Sequence, residues 1–177
     1  RKVVWLVHQF RQAYELDGTE LGQFTDDPGD RATRRAVHRL DAGTLGEAER
    51  VYATSDNIVR RLEHSTGRTA DVLRHPPRAL PYRCDEYGDF VLSVGRLDRA
   101  KRVDLLLEAA AMSDARVVVA GDGPERELLE QRARELGLGE RVEFAGQVPS
   151  DALVDLYARC RAVYYAPVDE DSGLVPY

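Results

Sequence analysis

The sequence predicts an α/β fold built on parallel sheets, and three observations carry that prediction. Short apolar or β-branched runs recur along the chain, as in Val3-Val-Trp-Leu-Val7, Phe90-Val-Leu-Ser-Val94 and Arg116-Val-Val-Val-Ala120. Amphipathic segments of helical period separate the later runs, with only short links between. Glycines (Gly95, Gly121 and Gly146) stand directly after three of the runs. Strand and helix alternating on short links require parallel strands with right-handed crossovers.

The elements follow in order. Val3 to Val7 reads as a strand buried on both faces, because it is apolar without alternation. Residues 15–30 read as a long loop rich in glycine, proline and acids. Asp30 is the expected cap of a helix over about 31–40, and Thr44 to Ala48 forms a short helical turn. Arg50 to Thr54 is a strand. Ser55 caps a helix carrying Ile58, Val59 and Leu62 that Gly67 ends. Ala70 to Leu73 is a brief strand, and residues 81–89 read as a linker between two domains, 1–80 and 90–177.

After the linker the pattern is cleaner. A strand over 90–94 is followed by the loop Gly95-Arg-Leu-Asp-Arg-Ala-Lys101. A helix then turns Val103, Leu105, Leu106, Leu107, Ala109, Ala110 and Met112 to one side. A strand over 116–120 leads through Gly121-Asp-Gly-Pro124 to a helix that Pro124 opens, with Leu128, Leu129, Ala133 and Leu136 inward. Residues 141–145 form the next strand. Ser150 caps a helix with Leu153, Val154, Leu156 and Tyr157, and 161–166 form the last strand.

Composition bounds the function. The chain has 177 residues, 43% hydrophobic and 32% charged, as a soluble globular protein does. A net charge of −6 argues against general nucleic-acid affinity. No apolar run approaches the roughly 20 residues that span a bilayer, and no secretory signal is visible. Cys84 and Cys160 form no CxxC pair and have no histidine cluster, so they imply neither a disulfide framework nor a zinc site; a cytoplasmic location fits. The chain enters a strand at once, and Gly173 to Tyr177 resembles the opening of a helix, so a fragment of a longer protein is expected.

Three loops of the second half should lie on one edge of the sheet: 95–101, 121–124 and 167–173. Arg96 can fork onto two phosphate oxygens and Lys101 adds a point charge, while amides near the following helix start favour an anion. The chain has only two lysines, Lys2 and Lys101. A solvated loop with ordinary surface cations is the alternative. His8 leaves the C-terminal end of the first strand, where ligands of open sheets collect, or is satisfied by local backbone. Asp169, Glu170 and Asp171 either favour a helix start through its dipole or offer Glu170 to the hydroxyls of a polyol. A metal site there lacks any other apparent ligand.

Val94-Gly-Arg-Leu-Asp-Arg-Ala-Lys101 with Val-Asp-Leu-Leu-Leu-Glu-Ala109 resembles the donor-site signature of retaining GT-B glycosyltransferases, family four. Gly121-Asp-Gly-Pro124 resembles that family's next loop, and Val142-Glu-Phe-Ala-Gly146 resembles its strand beside the nucleotide base. Glu170 to Tyr177 resembles the first eight residues of its Glu-x7-Glu motif, one position short of the second Glu. The first half is similar more loosely, at Val3 to His8 and at Ala48 to Ile58.

The resemblance implies two Rossmann-like domains, here the later part of an N-terminal domain and most of the C-terminal donor domain. It implies Arg96 and Lys101 on the donor diphosphate, with Gly95 and Gly121 beside them, and Glu170 on the sugar hydroxyls. Amides of Gly173, Leu174 and Val175 would contact sugar and phosphates. Val142, Glu143 and Phe144 would hold the base through backbone groups, and His8 would lie near sugar and acceptor. It further implies a UDP- or GDP-linked sugar as donor; a saccharide, a lipid-linked or a small-molecule acceptor; no metal or other cofactor; and, for this piece alone, poor donor binding and no activity. Peripheral membrane association is compatible with the family, although these residues show no basis for it. Two other readings remain. One is an inactive sugar-nucleotide-binding or scaffold subunit of the same fold. The other is a nicotinamide-dependent sugar epimerase, which lacks a GxGxxG after any strand.

Overall fold

The computed structural model describes residues 1–175. By contacts the chain divides into two units. One holds Arg1–Pro76 with Glu170–Gly173, the other Pro77–Asp169 with the described residues after Gly173. Each unit carries its own sheet, and every strand pairing is parallel, as the alternation requires.

In the first unit, β1 (Val3–Leu6), β2 (Arg50–Ala53) and β3 (Asp71–Val72) lie in the order β1-β2-β3. Two helices accompany them, α1 (Pro28–Gly46) and α2 (Asp56–Thr66). α2 starts and stops where the sequence places it. The Ser55 hydroxyl accepts the Ile58 N–H at 3.3 Å, and Gly67 turns left-handed at φ 70°. α1 differs from expectation. Its cap is Asp27, not Asp30: the Asp27 carboxylate accepts the N–H groups of Gly29 and Asp30, and Pro28 takes the first helical position. Asp30 accepts from the Thr25 N–H instead. The helix runs for 19 residues and absorbs the turn expected from Thr44. Only Leu45 of α1 is fully buried, which is why its apolar stripe is so faint in the sequence.

β1 is not buried on both faces. Val4 and Leu6 lean on a cluster of Leu45, Ala48, Val51 and Leu62. Val3, Trp5 and Val7, on the opposite face, are 59%, 49% and 53% exposed. The buried leucines of α1 and α2 both lie on the Val4 side, so an apolar run here does not mean two covered faces.

In the second unit, β4 (Phe90–Val94), β5 (Arg116–Ala120), β6 (Val142–Gly146) and β7 (Ala162–Tyr164) lie in the order β6-β5-β4-β7. α3 (Val103–Ala111), α4 (Arg126–Glu135) and α5 (Ser150–Arg159) cover both faces. One core joins Val117 and Val119 to Val103, Leu106, Leu107, Leu129 and Leu138. The other joins Leu92, Val118 and Ala120 to Leu156 and Tyr157. Two covered faces explain why β5 is apolar at consecutive positions. Of the residues expected inward, Ala109, Met112 and Leu128 are exposed.

The chain changes direction across β4, which has β5 on one side and β7 on the other. Ligands of open α/β sheets gather at the carboxyl edge at such a point. Several boundaries move. α4 begins at Arg126, not Pro124, and Pro149, not Ser150, holds the cap position of α5. The Ser150 hydroxyl accepts from Arg78 at 2.9 Å instead. Residues 81–89 carry no helix or strand until Phe90, yet they do not run free. Asp85 and Glu86 donate their N–H groups to the Ala158 carbonyl, Gly88 donates to that of Arg159, and the Tyr82 ring meets Tyr157 edge-on at 5.9 Å. The segment therefore belongs to the second unit, and contacts change sides at Pro76. Among the described residues, no helix is long and apolar enough to cross a membrane.

Leu107 is fully buried where α3 meets β5. Leu107→Ala should destabilise the second unit by about 2–5 kcal/mol, whereas exposed Met112→Ala should stay within ~0.5 kcal/mol. Denaturant titration of the intact protein measures both.

Candidate functional site

The carboxyl edge of the second sheet is assembled by backbone. The Gly95 N–H donates to the Ala120 carbonyl at 3.0 Å, and the Gly121 N–H donates to the Gly146 carbonyl at 2.7 Å. The Leu97 N–H donates to the Asp122 carbonyl, and the Leu97 carbonyl accepts from Glu125, each at 3.0 Å. Approach this close excludes side chains. A Cβ on Gly121 would stand 1.8 Å from the Gly95 carbonyl oxygen, and one on Gly123 would stand 2.3 Å from that of Leu97. Gly121 also has φ 143°. The result is an open groove of ≈ 720 Å³ lined by Val94, Gly95, Arg96, Ala120, Gly121, Asp122, Gly123, Gln147, Val148 and Leu153.

Arg96 is exposed and lines this groove, because its neighbour Leu97 is drawn into the core. Asp98 then folds the chain back: its carbonyl and carboxylate accept the Lys101 N–H at 3.1 and 3.2 Å and close a 3-10 turn over Arg99–Lys101. Arg102 is left-handed at φ 56°, and α3 starts only at Val103, with no side-chain cap. The loop is fastened to the chain around β7. Tyr164 donates its hydroxyl to the Arg102 carbonyl at 2.7 Å, and Val168 donates its N–H to that of Ala100 at 2.8 Å. Lys101 is half-buried and does not line the groove, so the structure does not bring it to Arg96 there. Asp122, the acid in the groove, accepts from the Gly123 N–H at 2.8 Å and stands 3.5 Å from Arg126. A hydrogen bond to Glu130, with the charges of Glu130 and Asp122, holds the Arg126 guanidinium above its ordinary pKa.

Val142 and Glu143 lie elsewhere. Val142 pairs with Val117, whereas Gly146 pairs with Ala120 at the carboxyl edge. Four residues of strand put Val142 about 13 Å from that edge at ~3.3 Å per residue. Val142 and Phe144 instead line a separate groove of ≈ 420 Å³ with Glu130, Ala133, Arg134, Gly137 and Gly139. The Phe144 carbonyl accepts from Arg126 at 3.3 Å. Gln147 and Val148, just past the strand, line the first groove, which 142–144 do not reach. The break at Gly146 marked that edge in the sequence; the register bulge beside Ala120 did not show there.

The other expected residues belong mainly to the first unit. His8 is exposed, with Nδ1 2.7 Å from the Gln9 carbonyl, which can only accept. Gln9 beneath it is buried and bonded to Ser65 and Asp41. Asp41 also accepts from Tyr14 at 2.8 Å; burial first, then Asp41, pushes the Tyr14 phenol pKa up. Glu170 groups with the first unit by contacts, not with the second. The Glu170 carbonyl accepts from Asn57 at 3.0 Å, and its Oε1 accepts the Asp171 N–H at 3.2 Å. Asp171 pairs with Arg61, and the Ser172 hydroxyl donates to that of Thr54 at 2.9 Å. Gly173 is left-handed at φ 52°; Leu174 and Val175 are not helical, and the rest of the expected helix, Pro176 and Tyr177, lies outside the described residues. Among the described residues, no three His, Cys, Asp or Glu side chains gather as metal ligands. Nothing local in the chain marks Arg61 or Asn57 beyond their place in the first turns of a capped helix.

Comparison with known proteins bears on this edge. The family model described as glycosyl transferases group 1 matches residues 82–177. An uncharacterized glycosyltransferase of Methanocaldococcus jannaschii is 35% identical over 89 residues, 48% of this chain and 23% of that protein. Among solved structures, the lipopolysaccharide outer core galactosyltransferase WaaB in its apo form is similar with a TM-score of 0.56 at 22% identity, over 71% of this chain and 39% of that one. A mutant of S. aureus TarM, in complex with fondaparinux, α-GlcNAc-glycerol and UDP, is similar with a TM-score of 0.59 at 14% identity, over 88% of this chain and 30% of that one. These structures share the parallel α/β fold of GT-B type. The chain thus spans less than two fifths of the length of each of these relatives.

Gly121→Ala should cost at least about 2 kcal/mol, because backbone must give way to the new methyl group. Gly43→Ala, in open space on α1, should gain about 0.5–1 kcal/mol. Thermal melts of the two variants against wild type decide this; equal effects would mean that the Gly95–Gly121 contact is not tight in solution.

Proposed function

Because the chain belongs to the glycosyl transferases group 1 family, we propose that the intact protein is a glycosyltransferase that moves a sugar from a nucleotide-diphosphate donor to an acceptor. The observation that carries this reading is the groove at the carboxyl edge of the second sheet, beside the point where strand order reverses, with Arg96 on its wall. UDP in the TarM structure of similar fold supports a nucleoside diphosphate as the donor's leaving group.

The chemistry assigned is transfer with retention of configuration and without a metal. Breaking the glycosidic bond leaves extra negative charge on the departing diphosphate. Arg96 forks onto it from the groove wall, and Lys101, outside the groove lining, adds a positive field at longer range, so charge that develops in the transition state meets fixed cations. The backbone of Gly95, Gly121 and Gly123, bare of side chains, lets phosphate approach closely. The base lies toward Gln147 and Val148. Glu170 holds sugar hydroxyls as the ring takes on oxocarbenium character. His8 offers Nε2 to the sugar or the acceptor. The acceptor is a saccharide, a lipid-linked or a small molecule, and the location is cytoplasmic.

Transfer, or donor hydrolysis, by the intact protein tests the proposal. Arg96→Ala and Lys101→Ala should each lower turnover by about 10²-fold or more, the scale of losing one charge-stabilising group. Near-normal turnover in both variants refutes their roles. Saturable donor binding by wild type with no product would instead indicate an inactive binding subunit.

A further inference from the structure

We propose that Arg61 is a positioning residue for Glu170, an inference that rests on the reading of Glu170 as the carboxylate that grips the sugar. The segment around Glu170 is bent at both ends, Asp169 being left-handed at φ 47° and Gly173 at φ 52°. Between these bends, the residues around the start of α2 hold it at every step. Ser55 donates its hydroxyl to the Asp171 carbonyl, Asn57 donates to the Glu170 carbonyl at 3.0 Å, and the Thr54 hydroxyl meets that of Ser172 at 2.9 Å. Asn57 and Arg61, four apart, share one face of the helix.

Of these contacts the Arg61 ion pair responds most to charge. Its guanidinium binds the Asp171 carboxylate and reaches Glu15 Oε1 at 3.4 Å. Glu15 in turn accepts from Arg11 at 2.6 Å. Cation and anion alternate along Arg11, Glu15, Arg61 and Asp171. The side chains are no more than 24% exposed, so screening by water is weak. Removing Arg61 leaves Glu15 and Asp171 without the cation that both share, and two like charges then push the segment away. Glu170, one bond from Asp171 and tied to its amide, moves with it. Arg61 touches no reacting atom in this scheme; it acts through Asp171.

Two measurements on the intact protein test this. Hydrogen exchange of the amides of 169–173 needs no donor; Arg61→Ala should speed it at least about tenfold, the scale of one lost charged hydrogen bond. Sugar transfer should show Arg61→Ala lowering kcat/KM about tenfold or more, as misplacement of a positioned group does. Arg61→Lys, which keeps one of the two bonds, should recover part of that loss. In a Glu170→Gln background Arg61→Ala should have no further effect, whereas a merely structural role would lower both backgrounds alike. Asp171→Asn cuts the same pair from the other side and serves if Arg61→Ala does not fold. Unchanged exchange, activity within twofold of wild type, or an equal loss in the Glu170→Gln background overturns the inference. A wild-type protein that transfers no sugar overturns the functional reading, and the exchange rates still decide whether Arg61 holds the segment.

Discussion

Two loop backbones touch at Gly121, and the carboxyl edge of the second sheet depends on that contact. The Gly95 carbonyl occupies the space of a Gly121 side chain, and Leu97 does the same at Gly123. Leu97 is the wedge that holds the arrangement: it is almost fully buried, and both its N–H and its carbonyl bond to the 122–125 turn. Full burial of a leucine contributes about 1.5–3 kcal/mol, enough to pin a loop that is otherwise rich in charge. With Leu97 inward, Arg96 has only the groove to face. The basic side chain is therefore placed by an apolar neighbour and by two residues that have no side chain.

The two units handle charge differently. In the second, acids near the groove are already engaged: Asp122 by a backbone N–H and by Arg126, Asp98 by the Lys101 N–H. That lowers the repulsion an anion would meet. In the first, acids and arginines alternate in one half-buried chain that ends on Asp171. There charge fixes conformation and is not on offer to a ligand, and the carboxylate beside it, Glu170, inherits its position.

Much of the second unit was legible in the sequence because both faces of its sheet are covered. Apolar runs, helical stripes and glycine breaks then agree, and β4, β5 and α3 fall where expected. The first unit was harder. α1 buries too little for a stripe to show, and the capping competition between Asp27 and Asp30 turns on the proline at 28, which suits the first helical position. β1 looked doubly buried because apolar residues are cheap to predict and exposure is not; Trp5 is half exposed. At the carboxyl edge, Arg96, Gly95 and Gly121 line one groove, where the alternation of strand and helix put their loops. Val142 and Glu143 do not, since a motif fixes order along the chain but not which end of a strand faces the ligand. Nothing local marks Arg61, whose partner Asp171 is 110 residues away.

In the proposed reaction this glycine-bounded edge receives the diphosphate of a sugar nucleotide. Backbone amide shifts of the intact protein, followed as a nucleoside diphosphate is added, test it most directly. Saturable shifts centred on Gly95, Arg96, Gly121, Gly123 and Gln147 are expected. Shifts centred on Gly137, Val142 and Phe144, or none at millimolar ligand, would contradict it.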